Sequence, residues 1–479
     1  MQLEFCDMHL ISKKLAGLLM AVALAFASPA STNAQSPAQT TTPPNGTLGV
    51  EMRPINAEGG LAQLANTGTS WTRRNALLWS DVEPVEGQRN WGASAITQLE
   101  SELRNAATNG LKTILIVRGA PAWALANPAA ACGAINPAKL PAFAAFMAAL
   151  VARYSVAPYG ITHYEMWNEP DVDPALVNTD DEIGCWGDQT DPYYGGATYA
   201  AMLKAIYPSV KAANPAARVL VGGLVLDCNP NDDTTCLPGK FLEGILYAGG
   251  GAAFDAVSVH SYDWFGGPGK YSNGKWASGH DTTGPTLQAK ARYVRDLLAQ
   301  YGATGKGIVF SEIGIICYLC GNTGNNAYEE TKMHYVPQAM ATALATGAEI
   351  ALWYNLRENS SGAGGFGTAL HDFYLNERPA MLAYRTTMSQ LNGATFMREV
   401  TDYPGIKVFE FVNGSRKIWA AWTLNGEPQS IALPSRPNKV TMLNGNEDAR
   451  DQLNSVSFSV RFFEWAWTGN RVYLPLLGH

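Results

Sequence analysis

The chain has 479 residues, of which 47% are hydrophobic and 16% are charged, and its formal net charge is −7. This length is too great for one small domain and suits a large globular domain with a minor one. The mildly acidic balance argues against a nucleic-acid partner.

Residues 1–34 have the pattern of an export signal. Lys13 and Lys14 precede the apolar run LAGLLMAVALAF, and small residues follow as far as Ala34. The run is too short to span a bilayer comfortably, and no later segment is long and uncharged enough, so we expect no membrane insertion. Residues 35–47, rich in Pro and Thr, are expected to be a linker. We therefore expect a secreted, extracellular protein, with its oligomeric state left open.

Six cysteines remain once the signal segment is removed. An even number in an exported chain indicates disulfides, although six cysteines allow 15 connectivities. The favoured pairs are Cys132 with Cys185, Cys228 with Cys236, and Cys317 with Cys320. The C-x-x-C motif of the last pair could instead be a redox or metal pair, but no matching second motif supports a zinc site.

Eight short apolar strands alternate with helical patterns between residues 48 and 392. Their β-branched and aromatic runs are those of a parallel sheet covered on both faces. The predicted strands are LGVEMRPI, RNALLW, KTILIV, HYEMWN, RVLVGGLVL, DAVSVHSY, GIVFSEIG and EIALWYNL. A helix after the seventh strand is expected to be interrupted by Pro337. Eight strand–crossover units predict an α/β fold, a (β/α)₈ TIM barrel over residues 48–392.

Composition changes near Asn392. The stretch IKVFEFVNGSRKIWAAWTLNG predicts two strands joined by a two-residue Asn413-Gly414 turn, and VSFSVRFFEWAW predicts one further strand. We expect residues 393–468 to form a small C-terminal all-β domain, followed by a tail over residues 469–479.

In a (β/α)₈ barrel the C-terminal ends of the strands surround one mouth, where active sites lie. The fourth predicted strand ends in Asn168 and Glu169, the sixth offers His260 and Tyr262, and the seventh carries Glu312. Two carboxyl groups at one mouth are what cleavage of a glycosidic bond needs. One protonates the leaving oxygen, and the other stays ionised to stabilise or attack the sugar.

The second strand offers Arg73 and Arg74 as cations that could keep Glu312 charged. Alternation along a strand does not decide which of the two points inward, and we select Arg74 as the candidate. Trp353, on the eighth strand, could line the site or could be a packing residue.

Aromatic residues also occur in the loop after the sixth strand. They could form a mobile aromatic wall for a sugar chain or could pack on one another. They are Trp264, Phe265, Tyr271 and Trp276.

Several of these motifs resemble those of a known group of enzymes. WNEP after an apolar strand, with SEIG further along, resembles clan A of the retaining glycoside hydrolases, which are built on (β/α)₈ barrels. Within the clan, the chain is similar to family 39 β-xylosidases, with family 5 endo-glycanases as a close second. The stretches LLWSDVEPVEGQRNW, ILIVRGAPAWA and VSVHSYDW support the resemblance.

The resemblance implies an oligo- or polysaccharide substrate, no cofactor and no catalytic metal. It implies that Glu169 is the acid/base and Glu312 the nucleophile. The implied supporting roles are sugar binding by Asn168, orientation of Glu312 by Tyr262, lining of the site by His260, and a floor formed by Trp353. The chain departs from its relatives at Arg118, where they often carry a smaller or neutral polar residue, and in CYLC after the nucleophile strand.

Two other functions remain open. A catalytically silent carbohydrate-binding protein could use the same barrel, although it would not need two carboxylates. A barrel enzyme could also use Glu312 as an ordinary general base on a substrate that is not a sugar. The sequence determines neither the sugar and linkage nor whether cleavage is internal or from chain ends.

Overall fold

A computed structural model describes residues 46–177, 183–276, 285–317, 320, 326–359, 367–447 and 454–469. The predicted signal segment, residues 35–45 of the linker and residues 470–479 of the tail lie outside these ranges. Among the described residues, no helix combines the length and the apolar character needed to cross a membrane.

Eight parallel strands close into a barrel. The first nine strands are β1 (Leu48–Val50), β2 (Trp71–Leu78), β3 (Lys112–Arg118), β4 (His163–Asn168), β5 (Arg218–Leu224), β6 (Ala256–Gly267), β7 (Lys270–Ser272), β8 (Gly307–Ile316) and β9 (Ile350–Trp353). The order is β5-β4-β3-β2-β1-β9-β8-β6, and pairing of β5 with β6 closes the ring. Strand β7 only extends β6 as an antiparallel hairpin. The predicted TIM barrel is confirmed.

Helices lie between the barrel strands. The described α-helices are α1 (Trp79–Val82), α2 (Ser94–Thr108), α3 (Leu140–Tyr154), α4 (Gly196–Ala213), α5 (Phe241–Tyr247), α6 (Leu287–Gln300), α7 (Asn326–Ala345) and α8 (Pro379–Leu391). Short 3₁₀ helices occupy Leu61–Leu64, Ala122–Ala124, Pro137–Lys139, Pro174–Leu176, Pro238–Lys240, Gly250–Ala252 and Gly274–Trp276. Helix α7 runs through Pro337, so the predicted interruption is wrong. Packing of this largely buried helix outweighs the hydrogen bond that proline cannot make.

The barrel interior changes from apolar to charged along the strands. A buried apolar cluster is built from Trp71, Ile114, Leu220, Ala256, Val309, Ile350 and Leu352. Arg73 lies two residues beyond Trp71 on β2, and therefore on the same face of the strand. Like Glu51 and Glu165, it is fully buried. Charged groups thus replace apolar ones on the side of the barrel where the predicted site residues lie.

A five-stranded antiparallel sheet follows the barrel in the order β10-β11-β12-β16-β14. Its strands are β10 (Thr395–Glu399), β11 (Ile406–Asn413), β12 (Arg416–Thr423), β14 (Lys439–Thr441) and β16 (Arg461–Ala466), and a separate pair is formed by β13 (Gln429–Ser430) and β15 (Ser455–Val456). Phe409 and Phe411 of β11 belong to the same apolar core as the barrel helices. The predicted C-terminal β region is therefore present, and its sheet shares an apolar core with the barrel.

Two details of this sheet differ from the prediction. The hairpin loop is Gly414-Ser415, one residue later than predicted, because Asn413 still pairs with Arg416. The stretch predicted as one strand divides into β15 and β16, with Phe458 in the bend between them.

Candidate active site

The ends of β4, β6 and β8 bring the predicted acidic residues to one mouth. His260 on β6 is in register with Glu312 on β8, and Asn168 on β4 is in register with Gly223 on β5. The side chain of Glu169 is 17% exposed and that of Glu312 is 6% exposed, so both carboxyl groups can be reached from the mouth.

The backbone after β4 is shaped to present Asn168 and Glu169. Trp167 and Glu169 have φ angles of 63° and 50°, in the left-handed region that costs residues with a side chain free energy. The indole N–H of Trp167 donates to the carbonyl of Cys132 (2.9 Å), and the backbone N–H of Glu169 donates to the carbonyl of Gly223 (3.1 Å). These bonds hold the strained turn in place.

A disulfide and a buried carboxylate hold the loop that follows. Cys132 is bonded to Cys185, which joins the loop after β3 to the loop after β4. The carboxylate of Asp171 accepts the backbone N–H groups of Val225 and Leu226 at 3.0 and 2.8 Å. Burial raises the pKa of Asp171 to about 6, although these two bonds oppose the rise.

Each carboxylate oxygen of Glu312 has a donor. Oε1 accepts a hydrogen bond from Nη1 of Arg73, and Oε2 accepts one from the hydroxyl of Tyr262. Burial, together with the neighbouring Glu312 carboxylate, raises the pKa of Tyr262 well above its ordinary value. Tyr262 therefore stays protonated and acts as a donor, and Glu312 is held as an oriented acceptor.

Arg73 is the cation of the site. Nη1 also donates to Oε2 of Glu51 (2.9 Å), Nη2 donates to Oδ1 of Asn168 (2.6 Å), and Nε donates to Oε1 of Glu165 (3.1 Å). Burial alone would lower the pKa of Arg73, but the surrounding carboxylates outweigh it and hold the pKa well above its ordinary value. Because Arg73 occupies the amide oxygen of Asn168, the –NH₂ of Asn168 is oriented as a donor.

His260 lies between the two acidic residues. Its Nδ1 is 2.8 Å from Oε1 of Glu169 and 3.5 Å from Oε2 of Glu312. Burial alone would lower the pKa of His260, but the Glu312 carboxylate and the bond to Glu169 raise it. The ring fits because residue 223 is glycine, where a Cβ atom would lie 2.1 Å from Nε2 of His260.

The two carboxyl groups are close together. An oxygen of Glu169, an oxygen of Glu312 and a ring nitrogen of His260 all lie within 4.8 Å of one another. Carboxyl groups about 5–5.5 Å apart allow one of them to attack the sugar directly, whereas about 6.5–9.5 Å leaves room for an attacking water. The closest oxygens of Glu169 and Glu312 approach one another as the shorter class requires.

The selection of Arg74 is corrected by the structure. Nε of Arg74 donates to Oε2 of Glu102 on α2 at 2.6 Å, on the outer side of the barrel. Successive side chains on a strand point to opposite faces, so Arg73 and not Arg74 enters the site. Arg118 ends β3 with its Nε bonded to Oδ1 of Asn75 at 2.6 Å.

Trp353 is also not where the resemblance implies. Its side chain is 0% exposed, and its indole N–H donates to the carbonyl of Thr368 at 2.9 Å. The structure therefore places Trp353 in the core and not on the surface of the site.

The predicted aromatic wall is reduced to one residue. Trp264 is 39% exposed, whereas Trp276 is fully buried and its indole N–H donates to the carbonyl of Leu226. Phe265 packs against Tyr328, with 5.4 Å between the ring centroids. Only Trp264 of this group keeps a substantially exposed ring, and its contact with substrate remains a prediction.

Sequence reasoning missed Glu51 and Glu165, which complete the surroundings of Arg73. Glu165 is a charged residue in the middle of the apolar strand HYEMWN, and Glu51 directly follows β1. A carboxylate inside a barrel strand needs a buried cation, and that signal could have identified the inward arginine.

The spacing of Glu169, His260 and Glu312 would also allow the three to hold a metal ion. Both oxygens of Glu312 already accept hydrogen bonds, from Arg73 and Tyr262. A metal would compete with these donors for the oxygens of Glu312, and the guanidinium of Arg73 would repel it. The donors Arg73 and Tyr262 therefore suit a carboxylate that reacts with a substrate better than they suit a metal ligand.

All three favoured cysteine pairs lie at disulfide distance. Besides Cys132–Cys185, the bonds are Cys228–Cys236 and Cys317–Cys320. The last of these begins directly after β8, the strand that carries Glu312.

Comparison with known proteins gives similarity in structure only. No family model matches the chain, and no curated protein sequence is significantly similar to it.

Three solved structures illustrate the likeness. A family 39 glycoside hydrolase from Bacteroides cellulosilyticus WH2 aligns with a TM-score of 0.66 and 18% identity, covering 88% of this chain and 80% of that one. A monomeric β-xylosidase from Caulobacter crescentus CB15 aligns at 0.57 and 15%, covering 90% and 98%. A family 30 endoxylanase from Clostridium papyrosolvens C71 aligns at 0.57 and 12%, covering 89% and 98%. At these identities the likeness shows a shared fold.

Proposed function

We propose that the chain is a secreted retaining glycoside hydrolase that cleaves β-linked glycans by double displacement. The observation that carries the proposal is the pair of carboxyl groups of Glu169 and Glu312, which approach within 4.8 Å at the mouth of the barrel. The fold shared with family 39 and family 30 glycoside hydrolases supports the same reaction class.

In the first step, a carboxylate oxygen of Glu312 attacks the anomeric carbon of the sugar, and the glycosidic carbon–oxygen bond breaks. Glu169, in its acid form, gives its proton to the departing oxygen. Arg73 and Tyr262 aim the carboxylate of Glu312 at the reacting carbon. The –NH₂ of Asn168 donates to the hydroxyl next to that carbon.

In the second step, Glu169 is a carboxylate and accepts a proton from water as the water oxygen attacks the anomeric carbon. The bond from the sugar to Glu312 breaks, and Glu312 returns as a carboxylate. Nδ1 of His260, 2.8 Å from Glu169, keeps the carboxyl group of Glu169 directed at the bond in both steps. Two inversions restore the original anomeric configuration.

The substrate is proposed by class. Two of the similar structures are a β-xylosidase and an endoxylanase, so β-linked xylo-oligosaccharides are the first substrates to test. Export is proposed from the signal pattern of residues 1–34, and three disulfides agree with an oxidising compartment.

The roles of the two glutamates can be separated by small-anion rescue. We expect Glu169→Ala to slow turnover about 10²–10⁴-fold. Azide should then restore activity and give a glycosyl azide with retained configuration. Glu312→Ala should lose turnover at least as fully, and azide should give the inverted glycosyl azide. Product configuration is read by NMR, and the control is Asp191→Ala, which removes a carboxylate that accepts the backbone N–H groups of Tyr193 and Gly195.

Labelling distinguishes this function from its rivals. A 2-deoxy-2-fluoro glycoside should add one sugar mass to the peptide containing Glu312, because the intermediate accumulates when the second step is slow. Binding of glycans without turnover would favour a carbohydrate-binding protein instead. Inverted product from the unmodified protein would refute double displacement.

A further inference from the structure

The β6–β7 hairpin carries an exposed aromatic ring on the same strand that supplies His260 and Tyr262. Trp264 is two residues beyond Tyr262 on β6, so both side chains leave the same face of the strand, about 7 Å apart along it. Trp264 is 39% exposed. The side-chain amide of Asn273, just past β7, donates to the carbonyl of Tyr262 at 3.0 Å, which ties the hairpin to the strand end.

Helix α7 supports this hairpin from one side. The backbone N–H of Gly269 donates to Oγ1 of Thr331 at 3.0 Å. The ring of Tyr271 meets that of Tyr335 edge-on at 4.8 Å, and the hydroxyl of Tyr271 donates to Oε1 of Gln338. The position of the hairpin therefore depends on what fixes Gln338.

Gln338 is fixed by the C-terminal sheet. Its Nε2 donates to the backbone carbonyl of Phe458 at 2.7 Å while its Oε1 accepts from Tyr271. An amide has one acceptor end and one donor end, so only one orientation satisfies both bonds. The ring of Phe458 lies 5.9 Å from that of Tyr271 and 5.6 Å from that of His334.

Phe458 itself is held by the sheet. It lies in the bend between β15 and β16, where the carbonyl of Ser457 accepts the backbone N–H of Thr423 on β12 at 2.8 Å. Nη1 of Arg461 donates to the carbonyl of Ser455 at 2.6 Å. The bend is thus bonded to the C-terminal sheet on both sides of Phe458.

We propose that the C-terminal sheet, through Phe458, is a positioning element of the active site. Phe458 holds the β6–β7 hairpin so that Trp264 stacks on a sugar unit beyond those joined by the bond that is cleaved. The inference rests on the proposed function for the identity of the ligand. The proposal requires that a β-linked oligosaccharide contact Trp264 and that a small aryl glycoside, bound at Glu169 and Glu312, does not.

The test compares a long and a short substrate. For Phe458→Ala we expect KM for a xylo-oligosaccharide of four or more units to rise about two- to tenfold, the range that loss of one aromatic contact implies. We expect kcat on that substrate, and both constants on an aryl xyloside, to change less than twofold. Phe458→Leu restores apolar packing and should recover most of the loss.

Two further variants exclude a general effect on stability. Phe396→Ala removes a ring of β10 in the same sheet, which packs against Phe409 and Phe411, and should leave the constants for both substrates unchanged. Trp264→Ala should raise KM for the oligosaccharide as Phe458→Ala does, and the double variant should be no worse than Trp264→Ala alone.

Amide hydrogen exchange tests the positioning without any substrate. Exchange over residues 264–272 should be faster in Phe458→Ala than in the unmodified protein and unchanged in Phe396→Ala. Unchanged exchange in Phe458→Ala, or additive effects of Phe458→Ala and Trp264→Ala on KM, would overturn the proposal. Absence of glycoside turnover by the unmodified protein would instead count against the proposed function.

Discussion

Arg73 uses every donor that a guanidinium has. Its five N–H groups are matched by five hydrogen bonds, shared among Glu51, Glu165, Glu312 and Asn168. The same cation therefore orients the carboxylate proposed to attack and the amide proposed to bind the sugar. Lysine could not replace it, because an ammonium has three donors and no planar fork.

Arg73→Lys tests this arrangement. Loss of one or more hydrogen bonds to charged groups should lower kcat on an aryl glycoside about 10–100-fold, since each such bond is worth about 1.5–3 kcal/mol. The matched variant Arg74→Lys alters only the pair with Glu102 and should leave kcat unchanged. Equal losses of kcat in the two variants would show that Arg73 acts through stability alone.

His260 predicts a pH-dependent contribution to stability. Its pKa is raised above the ordinary 6.5 by Glu312 and Glu169, despite burial, so its contribution is fully present below about pH 6.5. The contribution is lost as the pH rises through the higher pKa of the folded state. The difference in free energy of unfolding between the unmodified protein and His260→Gln should therefore shrink as the pH rises from about 5 to about 9.

His163 gives the opposite sign and is the control. Burial lowers its pKa to about 3, so its contribution is present above about pH 6.5 and is lost as the pH falls. Urea unfolding of His163→Gln should show a difference that grows between about pH 5 and about pH 6.5. Parallel behaviour of the two variants would contradict the assignment of His260.

At the scale of elements, β5 makes room for the site. Gly223 faces His260, and a Cβ atom there would lie 2.1 Å from its ring. Gly223→Ala should therefore displace the imidazole, destabilise the fold by about 1–3 kcal/mol and reduce kcat. Gly274→Ala, where an added Cβ meets no atom within 4 Å, should change neither. Wild-type kcat and free energy of unfolding in Gly223→Ala would show that β5 can yield.

The strand ends were predictable because the barrel has a simple rule. Parallel strands that alternate with crossovers put their carboxyl ends at one mouth, so Glu169 and Glu312 could be placed together before any coordinates. It was harder to predict which side chains of a strand point into the barrel. Strand β2 shifts register between Arg74 and Leu77, and counting alternation through such a shift cannot choose between two adjacent arginines.

Two other predictions were wrong because they depend on contacts between residues that are distant in the chain. Burial of Trp353 depends on Thr368 and other residues distant in the chain, and no local pattern encodes that contact. The bend at Phe458 interrupts a stretch that reads as one continuous strand. Its packing on Tyr271 joins residues 187 positions apart, which periodicity does not address.

At the scale of the whole molecule, disulfides of very different span stabilise the barrel. Cys132 and Cys185 are separated by 53 positions, whereas Cys317 and Cys320 are separated by 3. Loop-closure entropy predicts that the double serine variant of the first pair loses about 4 kcal/mol of unfolding free energy, against about 2 kcal/mol for the second. Urea unfolding of the two double variants measures the difference, and equal losses would contradict this entropic account.

The charges around Arg73 have one more consequence. Without Glu312, the inner cluster would still contain Arg53 and Arg73 opposite Glu51 and Glu165, two cations against two carboxylates. Glu312→Gly would therefore leave these four charges balanced and would open a space where the side chain of Glu312 lies. If Glu312 is the nucleophile as proposed, we expect an α-glycosyl fluoride to occupy that space as a donor while Glu169 deprotonates an acceptor hydroxyl. The same barrel would then build oligosaccharides as a glycosynthase.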